Sequence, residues 1–221
     1  MTLKKIHQSK NPNLLVITPL REGDNISENT IRTVMYHKKK LSFDWYSYEG
    51  SGNVMKNFLD GFSLYKEENN LKRPQYIIKI DNDTTWKLNT LTHMYETLSK
   101  CRDDSIAYCY CSFEYVGKVN AKFPAIPFNK DKLKKGNYIS SNSMFRTEII
   151  ENIPPIIDDK YVRLLDYAYF LHLLYHGYRG IPCEKGYFRA DTTNNSISSR
   201  DGEDYKEKFQ RVYEDFIKRL E

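Results

Sequence analysis

No run of about 18 consecutive apolar residues occurs in the 221-residue sequence, so nothing in it reads as a bilayer-spanning helix. The opening MTLKKIHQSKNPN is polar and lacks the apolar core of a secretory leader, which makes the cytosol the expected compartment. Cysteine is scarce, at four residues. Cys109 and Cys111 share one face of a strand-like run, but Cys101 and Cys183 stand alone, so no second close pair completes a zinc site. Reduced, partly buried thiols are expected. Glycine is missing where a phosphate loop would need it: after the first apolar run, residues 18–24 hold only Gly23. Neither charge sign dominates. A net charge of +5 and a pI near 8.8 do not require nucleic acid as a partner. Lysines cluster only at 38, 39 and 40 and at 130, 132, 134 and 135, either as solvated faces or as a draw for an anionic partner. There is no internal repeat, low-complexity tract or linker, so a single domain over residues 1–221 is expected.

What the sequence does contain is an alternation of strands and helices. Residues 14–18 (LLVIT) form an apolar strand closed by Pro19. Ser27 is placed to cap a helix over residues 28–38. Residues 41–48 alternate as a strand and stop at Glu49, Gly50, Ser51 and Gly52, and a second amphipathic helix covers residues 53–68. A third strand, residues 76–80, precedes a helix at about 85–100 and another strand at 105–115. This order predicts an α/β fold with a mostly parallel central sheet covered by helices on both faces. Beyond it, residues 118–137 are irregular and lysine-rich, as a mobile loop or a short hairpin, and suggest a lid. A helix follows near 147–152, then a strongly apolar one over 161–176, short strands at 178–182 and 186–189, and a closing helix over 205–220.

The third strand carries the chemistry. PQYIIKIDNDT (residues 74–84) delivers Asp81 and Asp83, with Asn82 between them, at the carboxyl end of a buried strand, where open α/β sheets bind ligands. Two carboxylates this close repel unless a cation lies between them, which suits a hard divalent metal carrying phosphate oxygens. The competing reading is a polar turn, which Asp and Asn also favour.

Taken together, the motifs resemble family-2 glycosyltransferases of the GT-A fold: the first strand ending in Thr18 and Pro19, the second in an acidic residue before Gly-Ser-Gly, the third in Asp-x-Asp. Residues 136–146 (GNYISSNSMFR) are similar to that family's small-residue segment beside donor sugar and acceptor. Leu165, Asp166 and Tyr167 are similar to its Glu-Asp-Tyr motif, and residues 187–191 followed by Ser196 to its Tyr-x-Arg-x-His region. The likeness covers residues 12–200, with Glu49 in place of the usual Asp, Leu165 of Glu, and Asp191 near the usual His.

The resemblance implies a nucleotide-sugar-binding half (about 12–115), an acceptor half (about 116–200) and a C-terminal helix (203–221). It implies transfer of a hexosyl or deoxyhexosyl group from a nucleoside-diphosphate sugar to an acceptor hydroxyl on a glycan, lipid-linked glycan or protein, with inversion. The cofactor would be Mn²⁺ or Mg²⁺, held by Asp83 and Asp191 with Asp81 at the ribose or the metal. Thr18, Pro19, Arg21, Glu49 and Asn82 would bind the nucleotide, and Arg189 and Arg200 the diphosphate. Asp166, a lone carboxylate opening an apolar helix, would be the base, with Asp158 and Asp159 as the fallback. Its alternative is a carboxylate satisfying helix N-terminal amides. His93, His172 and His176 fall on helical segments as ordinary packing or surface residues. The competing functions are a nucleotidyltransferase, a non-catalytic nucleic-acid-binding module motivated by the lysines and 18 tyrosines, and a non-catalytic sugar-binding relative.

Overall fold

The computed structural model describes residues 2–69, 73–192 and 203–220. Its first half runs β1 (Thr2–His7), β2 (Leu14–Leu20), α1 (Glu28–Met35), β3 (Phe43–Glu49), α2 (Val54–Glu68) and β4 (Tyr76–Lys79). Both helices start where side chains can satisfy orphan amides. Ser27 Oγ accepts from Thr30 N at 3.1 Å, and Asn53 Oδ1 accepts from Met55 N and Lys56 N at 3.1 and 2.9 Å. β2 pairs in parallel with β3 on one side and β4 on the other. The strand order therefore reverses at β2, which opens a crevice at the carboxyl ends of β2 and β4.

The second half comprises β5 (Thr84–Trp86), α3 (Thr90–Lys100), β6 (Ile106–Gly117), β7 (Ala121–Phe123), α4 (Lys130–Lys135), β8 (Met144–Arg146), α5 (Thr147–Asn152), α6 (Leu165–Tyr175), β9 (Arg179–Thr192) and α7 (Glu203–Val212). The sheet order is β1-β3-β2-β4-β8-β6-β9-β5, with β7 added to β6 as a hairpin. Parallel pairing is confined to β3-β2-β4 and to β6-β9; β1, β5, β7 and β8 join antiparallel. The α/β class holds, but the sheet is mixed. β8 runs against both of its neighbours, β4 and β6, although the short α4 precedes it. The two short strands expected near residues 178–189 are one strand, β9, whose register against β6 shifts between Cys111 and Ser112.

Alternation along the strands divides the core into two faces. Leu14, Val16, Ile78 and Cys109 face Val34 of α1 and Leu91, Met94 and Leu98 of α3. Leu15, Ile17, Ile77 and Tyr110 face Phe58 and Phe62 of α2 and the residues of α6. α6 is buried nearly all round because the C-terminal segment covers its outer side, where Tyr167 stacks on Phe209 at 6.0 Å. All four cysteines are free thiols, and Cys109, Cys111 and Cys183 are buried. The lysine clusters have structural partners: Lys134 Nζ donates to Leu220 O at 2.8 Å, and Lys132 lies over the Tyr138 ring. No helix among the described residues is long and apolar enough to cross a membrane.

Gly61 sets how closely α2 approaches the sheet. A Cβ there would sit 2.8 Å from Tyr48 Cβ and 3.3 Å from Ile17 Cγ2, atoms near the backbone with little room to move. Gly61→Ala gains about 1 kcal/mol of helix propensity. Overpacking is expected to outweigh this and lower stability by about 1–3 kcal/mol. A reduced urea midpoint at unchanged slope is the expected readout. An unchanged or higher midpoint would show that α2 can slide outward without loss.

Candidate active site

A cavity of about 380 Å³ opens at the crevice, within the size range of small-molecule sites. Pro19 near the end of β2, with Arg21 and Asp24 just after it, forms one wall, and Asn53 and Met55 begin α2. Lys79, Asp81, Asn82 and Asp83 form the floor, Ser140, Ser141 and Asn142 precede β8, and Arg163 and Asp166 flank the start of α6. Phe188, Ala190, Asp191 and Thr192 of β9 close the far side. The two halves of the chain therefore meet here, as the Asp-x-Asp and Leu-Asp-Tyr segments suggest.

Asp83 is held opposite Asp191 by a backbone hydrogen bond, Asp191 N to Asp83 O at 3.1 Å. Burial above all, then the neighbouring charges of Asp81 and Asp191, raises its carboxyl to about 6. Crowded carboxylates of this kind fit a divalent cation. Asp81, however, has both carboxylate oxygens engaged. Lys79 Nζ pairs with its Oδ1, Asn142 Nδ2 donates to its Oδ2 at 2.8 Å, and its own amide donates to Asn142 Oδ1 at 2.9 Å. No group of three His, Cys, Asp or Glu among the described residues can hold a metal ion by itself. The residues fit a cation that keeps part of its shell for phosphate oxygens, as Mg²⁺ does with one or two carboxylates.

Asp166 lies in the first turn of α6, which has no side-chain cap. Its Oδ1 accepts from Tyr167 N at 2.9 Å and its Oδ2 from Asn137 Nδ2 at 3.2 Å. Burial raises its carboxyl to about 6, against the lowering effects of the Tyr167 amide and the Lys79 charge. The helix-amide role is thus present, and Asp166 also lines the cavity that contains Asp81 and Asp83.

Other expected residues lie elsewhere. Thr18 is buried in β2, where its Oγ1 accepts from Trp45 Nε1 at 3.0 Å, so it faces the core and not the cavity. Glu49 does not line the cavity either: it accepts from Gly23 N at 3.1 Å and pairs with Lys4 at 3.6 Å, tying down the loop after β2. Arg189 does not line the cavity: its side chain is exposed and pairs with Asp191, two residues along the same face of β9, at 3.1 Å. Asn82 stays at the cavity, with Nδ2 donating to Asn25 O at 3.1 Å. Asp158 caps the turn at Lys160 and Asp159 accepts from Asn53 Nδ2 at 2.8 Å; neither lines the cavity. Residues 118–137 do not line it, and they are anchored by Tyr110 Oη to Ile126 O at 2.7 Å and by buried Leu133. The hairpin alternative for that segment holds; a lid does not follow from it. Ser196 and Arg200 lie outside the described residues.

Three lining residues escape a reading by motif. Lys79 is concealed in an apolar run, though a charge in YIIKI is itself a signal. Asn142 lies in the 136–146 segment that the resemblance marks, but nothing there singles it out from its small polar neighbours. Arg163 has φ 81°, a left-handed conformation that costs a non-glycine residue about 1–2 kcal/mol and is found preferentially at functional sites.

No family model matches the sequence, and neither does any curated protein. Among solved structures, the chain is similar to S. aureus TarS 1–349 in complex with UDP-GlcNAc, with a TM-score of 0.56 at 14% identity, covering 90% of this chain and 65% of that one. The same fragment in complex with UDP gives 0.54 at 12% identity, over 92% of this chain and 66% of that one. A further TarS structure gives 0.54 at 13% identity, over 90% and 39%. The chain thus spans slightly less than two thirds of the 349-residue fragment. At these identities the likeness is one of fold, a central sheet flanked by helices.

Proposed function

We propose that the protein is a glycosyltransferase that moves a sugar from a nucleoside-diphosphate sugar to an acceptor hydroxyl with inversion. The observation that carries this reading is the meeting, in one cavity at the sheet's switch point, of strand-end Asp83 with Asp166 from the second half. The fold is shared with a protein crystallised with UDP-GlcNAc and UDP, and the sequence resemblance to family 2 points the same way.

Donor binding begins on the wall formed by Pro19, Arg21 and Asn82, with Arg21 supplying positive charge beside the crevice. Asp83 and Asp191 would hold a divalent cation, which when bound supplies charge to the leaving diphosphate. Asp166 removes the proton from the acceptor hydroxyl as that oxygen attacks the anomeric carbon from the face opposite the diphosphate. Its raised carboxyl makes it a better proton acceptor at neutral pH than an ordinary surface aspartate, while it remains ionised there. Val54, Met55 and Phe188 supply the apolar part of the cavity.

A panel of nucleotide sugars with Mn²⁺ tests the reading by thermal shift, since a ligand stabilises the state it binds. One donor is expected to raise Tm by several degrees and to turn over with an acceptor. No shift with any UDP-, GDP- or dTDP-sugar would reject the nucleotide-sugar reading.

A further inference from the structure

Among the described residues, Lys79 is the only buried lysine or arginine, at 3% exposure. It sits in β4, opposite Ile17 of β2, on the face that packs against α2 and α6. Burying an ammonium is costly unless it is paired, and a strand interior normally carries an aliphatic residue there. The ion pair it makes is part of a closed unit. Lys79 takes one carboxylate oxygen of Asp81, and Asn142 takes the other while also accepting from the Asp81 amide. Asn142 is itself buried, at 4% exposure, and its own amide donates to Ser140 Oγ at 3.1 Å. The cavity floor therefore contains a fixed positive charge beside Asp81, between Asp83 on the strand end and Asp166 on α6.

We infer that Lys79 is a positioning and charge-setting residue of the site: it withdraws Asp81 from direct metal coordination and gives the diphosphate a permanent counter-charge. This rests on the nucleotide-sugar reading for the diphosphate, but not for the metal. Two consequences follow from Coulomb's law in a partly screened cavity. The site binds a divalent cation less tightly than its carboxylates alone would. It also keeps affinity for a nucleoside diphosphate when no divalent cation is present.

The experiment uses the whole chain, with Mn²⁺ alone and UDP as probes. Mn²⁺ binding is followed by the loss of the free-ion EPR signal, and UDP binding by calorimetry with Mn²⁺ or with chelator. Lys79→Met is expected to bind Mn²⁺ about tenfold more tightly and UDP in chelator about tenfold more weakly. Lys79→Arg, which keeps the charge, is expected to stay near wild type in both, and a purely structural pair would not predict the tighter Mn²⁺ binding of Lys79→Met. Unchanged or weaker Mn²⁺ binding by folded Lys79→Met would overturn the inference. Wild-type protein supplies a measurement free of any folding question: UDP binding that vanishes completely in chelator would also overturn it. If wild type binds none of UDP, GDP and dTDP under either condition, the nucleotide assignment fails, while the Mn²⁺ titrations still decide the role of Lys79.

Discussion

Asp166→Asn is expected to lower turnover at least about 100-fold while donor affinity stays near wild type, since the amide keeps the shape but cannot take a proton. The wild-type kcat/KM is expected to fall on acidification through about pH 6, where the raised Asp166 carboxyl becomes protonated and stops serving as a base. Stability moves oppositely. The folded carboxyl, at about 6, holds its proton to higher pH than the unfolded one, whose ordinary value is 3.8. The folded state therefore binds more protons between these values, and stability falls as pH rises through that window. An asparagine has no such penalty, so Asp166→Asn is expected to match or exceed wild type in Tm above pH 6 and to lose that advantage near pH 4. The product should have inverted anomeric configuration by NMR. Retained configuration, or near-normal turnover by Asp166→Asn, would remove this residue from the base role, and no fallback lies in Asp158 or Asp159.

The second large effect is expected at Asp83. Asp83→Asn should abolish measurable turnover and remove the Mn²⁺ enhancement of UDP binding, leaving the fold intact because its side chain faces the cavity and not the core. Asp81→Asn is expected to differ: its oxygens are occupied by Lys79 and Asn142, so its loss should loosen the floor and lower activity without erasing Mn²⁺ binding. Calorimetry of UDP with and without Mn²⁺ separates the two. Equal loss of Mn²⁺ binding in both variants would place Asp81 back among the metal ligands.

The parts of this molecule legible in the sequence are those fixed by local pattern. Apolar runs closed by turn residues locate β2 and β4, and Ser27 marks its helix because a cap needs only its own side chain and the next amides, whereas Asn53, expected inside the second helix, is its cap. Strand direction beyond β4 was not legible, since β8 meets β4 and β6 through contacts between distant segments. β1 escaped because TLKKIH is an edge strand with lysines on its exposed side, polar enough to resemble a tail. β5 is three residues long and was absorbed into the helix that follows it. In the site, position along the chain found Asp83 and Asp166 but could not tell which way a side chain turns. Thr18 shares a strand with lining Pro19 and points to the core, an outcome of pleating that one residue of register decides, while Arg189 is drawn to Asp191 on its own strand face.

The backbone bond from Asp191 to Asp83 joins two carboxylates far apart in sequence. During synthesis the β3-β2-β4 unit can assemble from local crossovers before the strand that brings Asp191 has emerged. The repulsive pair is therefore created only when β9 docks along β6. Long-range pairing of this kind is slow, since loop closure must precede its reward. The cavity floor is completed only by that long-range pairing, so the electrostatic cost of the pair arises only with the sheet that can bear it.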